Sequence, residues 1–169
     1  MPRAKKKRGT ISTETPTIMK TMDHTDTQAC INVCNSLLRG ELSAVETYSL
    51  AINRYVGKPA IAELQRIRSE HALSAARLSQ NVRDMGGAPD EDSGAWGVFA
   101  KAVQGAANLF GADSALESLQ RGEEKGRTDY RAAIENNDVM PSCKEMIRSE
   151  LLPRIDHHIA TLGRLEETV

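Results

Sequence analysis

Four side chains capable of acid–base or metal chemistry recur at matched spacing: Glu41, His71, Glu123 and His158. Glu41 stands in "LLRGELSAVETYSLAI", Leu37 to Ile52, and Glu123 in "LQRGEEKGRTDYRAAI", Leu119 to Ile134. Both segments read Arg-Gly-Glu, six residues, Tyr, two residues, Ala-Ile. The histidines repeat in the same way. "ELQRIRSEHALSAARL" starts at Glu63 and "ELLPRIDHHIATLGRL" at Glu150, and both read Glu-Leu, six residues, His, five residues, Arg-Leu. His71 therefore corresponds to His158 and not to His157. Two carboxylates and two imidazoles are a ligand set for Fe, Mn or Zn. A metal-free reading of the same residues is a buried polar network, with Arg68 salt-bridged to Glu41 or Glu123 and with Tyr48 and Tyr130 donating to the carboxylates. Burial of ionisable groups is costly unless they are paired or bound to a metal, so either reading makes the cluster a designed feature.

Helices have to carry these residues. From about Asp26, Cys30, Cys34, Leu37, Glu41, Val45, Tyr48 and Ile52 recur at steps of three and four. "VGKP" at Val56–Pro59 predicts a turn. Ile61, Leu64, Arg68 (beside Ile67), His71, Ala75, Leu78, Val82 and Met85 predict a second helix, closed by "MGGAP". "AWGVFAKAVQGAANLF", residues 95–110, predicts a short crossover helix. Leu116, Leu119, Glu123, Tyr130 and Ile134 mark a third long helix. Ile147, Leu151, Ile155, His158, Leu162 and Leu165 mark a fourth, bent where Pro153 interrupts it. Glu41 and His71 each stand about fifteen residues from the first turn, and Glu123 and His158 about seventeen from the turn near Met140, so each pair falls at one height.

The expected fold class is all-α, a bundle of four long helices made from two pseudo-repeated helical hairpins, with a long crossover containing a short helix. The expected domains are a basic, Thr-rich disordered tail at 1–22 and the bundle at 23–169. Aromatics are only 4% of the chain, so aliphatic side chains and Met must fill the core. The net charge of −1 gives the whole molecule no pull toward nucleic acid or anionic membrane. Arg3, Lys5, Lys6, Lys7 and Arg8 leave one nucleic-acid route open, through the tail. No run is long and apolar enough to span a membrane, and no apolar segment follows the basic start. Three cysteines without finger-like spacing fit a reducing, cytoplasmic setting. Cys30 and Cys34 read as small buried hydrophobes. With short, long and short connections, Cys143 is expected at their end of the bundle, which leaves a redox or metal role open for the three.

The doubled "RGE…Y..AI", the matched histidines and the "GGAP" loop before a Trp-containing crossover resemble the ferritin-like superfamily, in particular its rubrerythrin and bacterioferritin branches. Closer still is a bacterial ferritin-like family known only as a domain of unknown function. The resemblance covers about Asp26 to Glu167. It implies Glu41, His71, Glu123 and His158 as metal ligands and a stress-related role, while Tyr48, Tyr130 and Arg68 are read from the residues as the groups around them. The superfamily's di-iron proteins carry Glu three residues before each His. Here those positions hold Arg68 and Ile155, and two carboxylates in place of four carry charge enough for one ion, not two. The alternatives are a non-enzymatic structural protein with a metal-free core network, and a DNA-associated protein acting through its tail. The crossover, with more apolar residues than the bundle needs, suggests a homodimer surface.

Overall fold

The computed structural model describes residues 17–53, 58–96 and 112–168. Four helices dominate it, and no strand occurs among the described residues. Helix α1 is Thr17–Ile52, α2 is Ile61–Asp84 and α3 is Ala112–Glu135. Helix α4 spans 141–166 in three parts: Pro141–Met146, a π-helical turn at Ile147–Leu151, and Leu152–Glu166. A three-residue 3-10 turn, Gly94–Trp96, opens the crossover. The remainder of the expected crossover helix lies outside the described residues. So does the basic stretch of the tail. Helix α1 begins at Thr17, nine residues ahead of the expected start, and takes in the last residues assigned to the tail.

Pro153 does not break α4. It has no N–H, and its ring would press on the carbonyl of residue 149 in a regular helix. The chain answers with the π-helical turn immediately before it, where the Leu152 N–H donates to the Ile147 carbonyl five residues back.

Side-chain pairs fix the helix directions. Tyr48 on α1 meets Glu123 on α3, while Glu41 meets Tyr130, so α1 and α3 run antiparallel. His158 meets Glu70, Arg154 meets Ser74 and Arg77 meets Glu150, so α2 and α4 are antiparallel too. With α1–α2 and α3–α4 as hairpins, the order is up, down, down, up. The long crossover follows from this, because a short loop cannot join the parallel helices α2 and α3. Its start is fixed to α1. Gly86, at φ 80°, ends α2, and beyond it the Asn35 amide donates to the Ala88 carbonyl while its oxygen accepts from the Asp90 N–H. Arg39 pairs with Asp90, and Ser93 donates to Glu46.

The apolar core is in two parts. One contains Cys30, Cys34, Leu38, Leu78, Ile147 and Tyr130; the other contains Leu64, Ile67, Leu116, Leu119, Leu162 and Tyr48. Glu41, His71, Glu123 and His158 are all buried with them. No helix among the described residues is long and apolar enough to cross a membrane.

Candidate metal centre

The apolar stripes of four helices carry the four repeated side chains to one place. His71 is the hub. Its Nδ1 lies 2.8 Å from Glu41 Oε2 and its Nε2 lies 2.8 Å from Glu123 Oε1. His158 Nδ1 lies 3.3 Å from Glu123 Oε2, and the two imidazole centroids are 4.8 Å apart. The tyrosines cross between hairpins. Tyr48 donates to Glu123 Oε1 and Tyr130 donates to Glu41 Oε1, both at 2.5 Å. Each ring is rooted in a different half of the apolar core, and each hydroxyl serves the glutamate of the other repeat.

Charge explains the cohesion. Burial opposes a charged ring at His71, but the Glu123 and Glu41 carboxylates on its two nitrogens outweigh it and raise its pKa to about 10. Burial alone would raise Glu123. The His71 charge and hydrogen bonds from both imidazoles instead bring it down to about 2. Burial, and then the neighbouring carboxylate, pushes Tyr48 and Tyr130 well above the usual phenol range. In the metal-free cluster a protonated His71 therefore stands between Glu41 and Glu123, and each glutamate accepts from a tyrosine hydroxyl.

Arg68 is not part of it. The expected pairing of Arg68 with Glu41 or Glu123 is corrected by its exposure, and Ile67 takes the inward position at 0% exposure. Both positions lie within helical reach of His71's face. An aliphatic chain is cheap to bury and a guanidinium is not, so the helix turns Ile67 inward. The cation between the carboxylates is His71 itself.

Glu70 was not among the residues expected here. It accepts from His158 Nε2 at 2.8 Å and is held by Arg66 Nη1 at 2.7 Å. Burial works against the Glu70 charge, yet Arg66 and His158 keep its pKa below normal. It sits beside His71 in sequence but points about a quarter-turn away, toward α4. The signal was Arg66 four residues before Glu70, a spacing that ties a carboxylate down on a helix. The repeat is broken at this point, because His157 occupies the corresponding position and is exposed.

A family described as a domain of unknown function, DUF2383, matches residues 21–136. The chain belongs to that family. The DUF2383 match takes in Glu41, Tyr48, Glu70, His71, Glu123 and Tyr130, and ends before α4, which carries His158. No curated protein and no solved structure matches the chain.

In this DUF2383 protein the donor atoms of His71, Glu123 and His158 lie within 4.8 Å of one another, and all three residues are buried. Two imidazoles and one carboxylate are a recurrent set for a divalent transition metal. Glu41 and Glu70 sit on the outward nitrogens, Nδ1 of His71 and Nε2 of His158. A carboxylate in that position orients a ligating histidine and raises its basicity. The donor chemistry therefore fits one ion. The residues three positions before the two histidines add no carboxylate to it: Ile155 is aliphatic and Arg68 is exposed.

A cavity of about 110 Å³ opens between α1 and α3 and reaches Glu41, Glu123 and His71. Gly40 and Gly122, the glycines of the repeated Arg-Gly-Glu, both line it. A Cβ at Gly40 would meet nothing within 4 Å, so the glycine there leaves open space beside the glutamate.

Proposed function

We propose that this protein is a ferritin-like bundle that holds a single Fe, Mn or Zn ion through His71, Glu123 and His158. The observation that carries this reading is the convergence of those three buried donor sets within 4.8 Å, with Glu41 and Glu70 on the outward ring nitrogens. The ferritin-like assignment draws its support from the helix order, the long crossover and the doubled glutamate–histidine pattern. Glu41, first counted among the ligands, is here assigned the role of orienting His71. A bound ion supplies Lewis acidity and, for iron or manganese, a one-electron couple.

The chain's own residues set the conditions. His71 Nε2 must give up its proton for an ion to be held there, so uptake rises with pH. Tyr48 and Tyr130 keep the carboxylates hydrogen-bonded and restrict how they rotate. The cavity between α1 and α3 gives a small molecule a route to the site. Elemental analysis of protein equilibrated with Fe(II), Mn(II) or Zn(II) tests the reading. About one ion per chain is expected, lost in Glu123→Gln. Equal loading of wild type and Glu123→Gln, or none in wild type, sinks it.

A second reading has its own observation. Among the described residues, no buried side-chain nitrogen or oxygen lacks a hydrogen-bond partner. The Glu–His–Tyr cluster is thus complete without an ion and would serve to fix helix register. That role is expected if wild type takes up no metal and Glu123→Gln changes stability alone.

A further inference from the structure

The three cysteines are the strongest unexplained cluster. Cys30 and Cys34 lie one turn apart on α1, and Cys143 is in the first part of α4. All three are buried, at 0%, 0% and 1% exposure, and none is in a disulfide. Cys34 Sγ and Cys143 Sγ are 3.0 Å apart, and the three sulfurs lie within 4.8 Å of one another. Neighbouring polar contacts are few: the Met140 N–H donates to Cys30 Sγ at 3.4 Å, and the Cys34 thiol donates to Asn81 Oδ1 at 3.5 Å. Ile31, Leu38, Leu78, Val82 and Met146 belong to the same apolar cluster.

We propose that Cys30, Cys34 and Cys143 form a binding site for a soft monovalent cation, copper(I), separate from the glutamate–histidine cluster. Three sulfurs around one ion at about 2.3 Å stand about 4 Å apart, which the present spacing reaches with shifts of about 1 Å or less. A disulfide would use only two of the sulfurs and leave the third idle, whereas a three-sulfur ligand set uses all. Softness selects the ion, because thiolates favour copper(I), zinc and iron–sulfur clusters, and zinc completes a tetrahedron. Among the described residues, no imidazole or carboxylate joins this group to supply a fourth ligand. Binding is a proton-for-metal exchange, with thiol protons released to solvent and no change of oxidation state.

The test uses the full chain under anaerobic conditions, titrated with copper(I) against a chromogenic copper(I) chelator. Wild type should withhold one copper per chain, and Arg68→Ala, an exposed position outside both clusters, should do the same. X-ray absorption should show a shell of sulfur only. Cys34→Ser/Cys143→Ser should lose affinity on the order of 100-fold or more. Cys30→Ala, a milder change in a tight core, should also weaken binding and serves where the double variant does not fold. Copper left wholly with the chelator overturns the proposal. So do a nitrogen or oxygen shell, undiminished binding in a folded cysteine variant, and a Cys34–Cys143 disulfide in protein purified under reductant.

Discussion

The Tyr48 hydroxyl donates to Glu123 Oε1 at 2.5 Å, although 75 residues separate the two in the chain. Tyr130 and Glu41 repeat this contact from the other side at the same distance. The tyrosine of each repeat therefore serves the glutamate of the other. The reason is geometric: α1 and α3 are antiparallel, so a tyrosine two turns beyond its own glutamate lies level with its partner's. The exchange ties the two hairpins together at the level where ionisable groups are buried.

Removing either hydroxyl leaves a buried carboxylate short of a donor. Tyr48→Phe and Tyr130→Phe should each cost about 1.5–3 kcal/mol, the range for a hydrogen bond to a charged group. Both carboxylates meet at His71, so the double variant should depart from additivity by about 0.5 kcal/mol or more. Urea unfolding of the four proteins measures both quantities. Strict additivity with small single effects would mean that the tyrosines only fill space.

Glu41 and Glu123 should differ in metal uptake despite their matched sequence. Glu123→Gln is expected to abolish it, since Glu123 faces both imidazoles. Glu41→Gln should retain the ion with about 10–100-fold weaker affinity, the usual cost of losing a group that orients a ligand. Equilibrium dialysis separates the two. Complete loss in Glu41→Gln would return it to the ligand set.

The metal-free protein should show a stability plateau in mildly acidic solution. His71 titrates near 10 in the fold against 6.5 ordinarily, so its contribution is full below pH 6.5 and is lost as pH rises toward 10. Glu123 titrates near 2 against 4.5, so its contribution is full above pH 4.5 and is lost as pH falls toward 2. Both are intact from about pH 4.5 to 6.5. Denaturant titrations across pH in the presence of a chelator should trace this profile, and His71→Gln should flatten its alkaline side. An unchanged alkaline side in that variant would show that His71 is not the titrating cation.

Neighbouring positions on α2 provide a sharp contrast. Arg68→Ala should change stability by no more than about 0.5 kcal/mol, as for an ordinary surface site. Ile67→Ala should cost about 2–5 kcal/mol through the cavity it leaves. Thermal or chemical unfolding decides this, and a large effect at Arg68 would place it back in the polar network.

The sequence by itself determined the helices and the four central residues. Helical periodicity ties burial to spacing, so stripes at steps of three and four had to turn Glu41, His71, Glu123 and His158 inward, and the internal repeat showed which histidines correspond. It also placed Cys143 at the end of the bundle shared by Cys30 and Cys34, since connection lengths limit helix direction. Other features needed the tertiary structure. The choice between Ile67 and Arg68 depended on desolvation, because both lie near the same face. The Glu70–His158 contact joins different hairpins, and periodicity within one helix carries no information about its rotation against another. The tyrosine exchange depended on α1 and α3 being antiparallel and adjacent. Only packing could decide that His71 bridges both glutamates while His158 reaches Glu123 and Glu70, so that a repeat symmetric in sequence becomes asymmetric in charge.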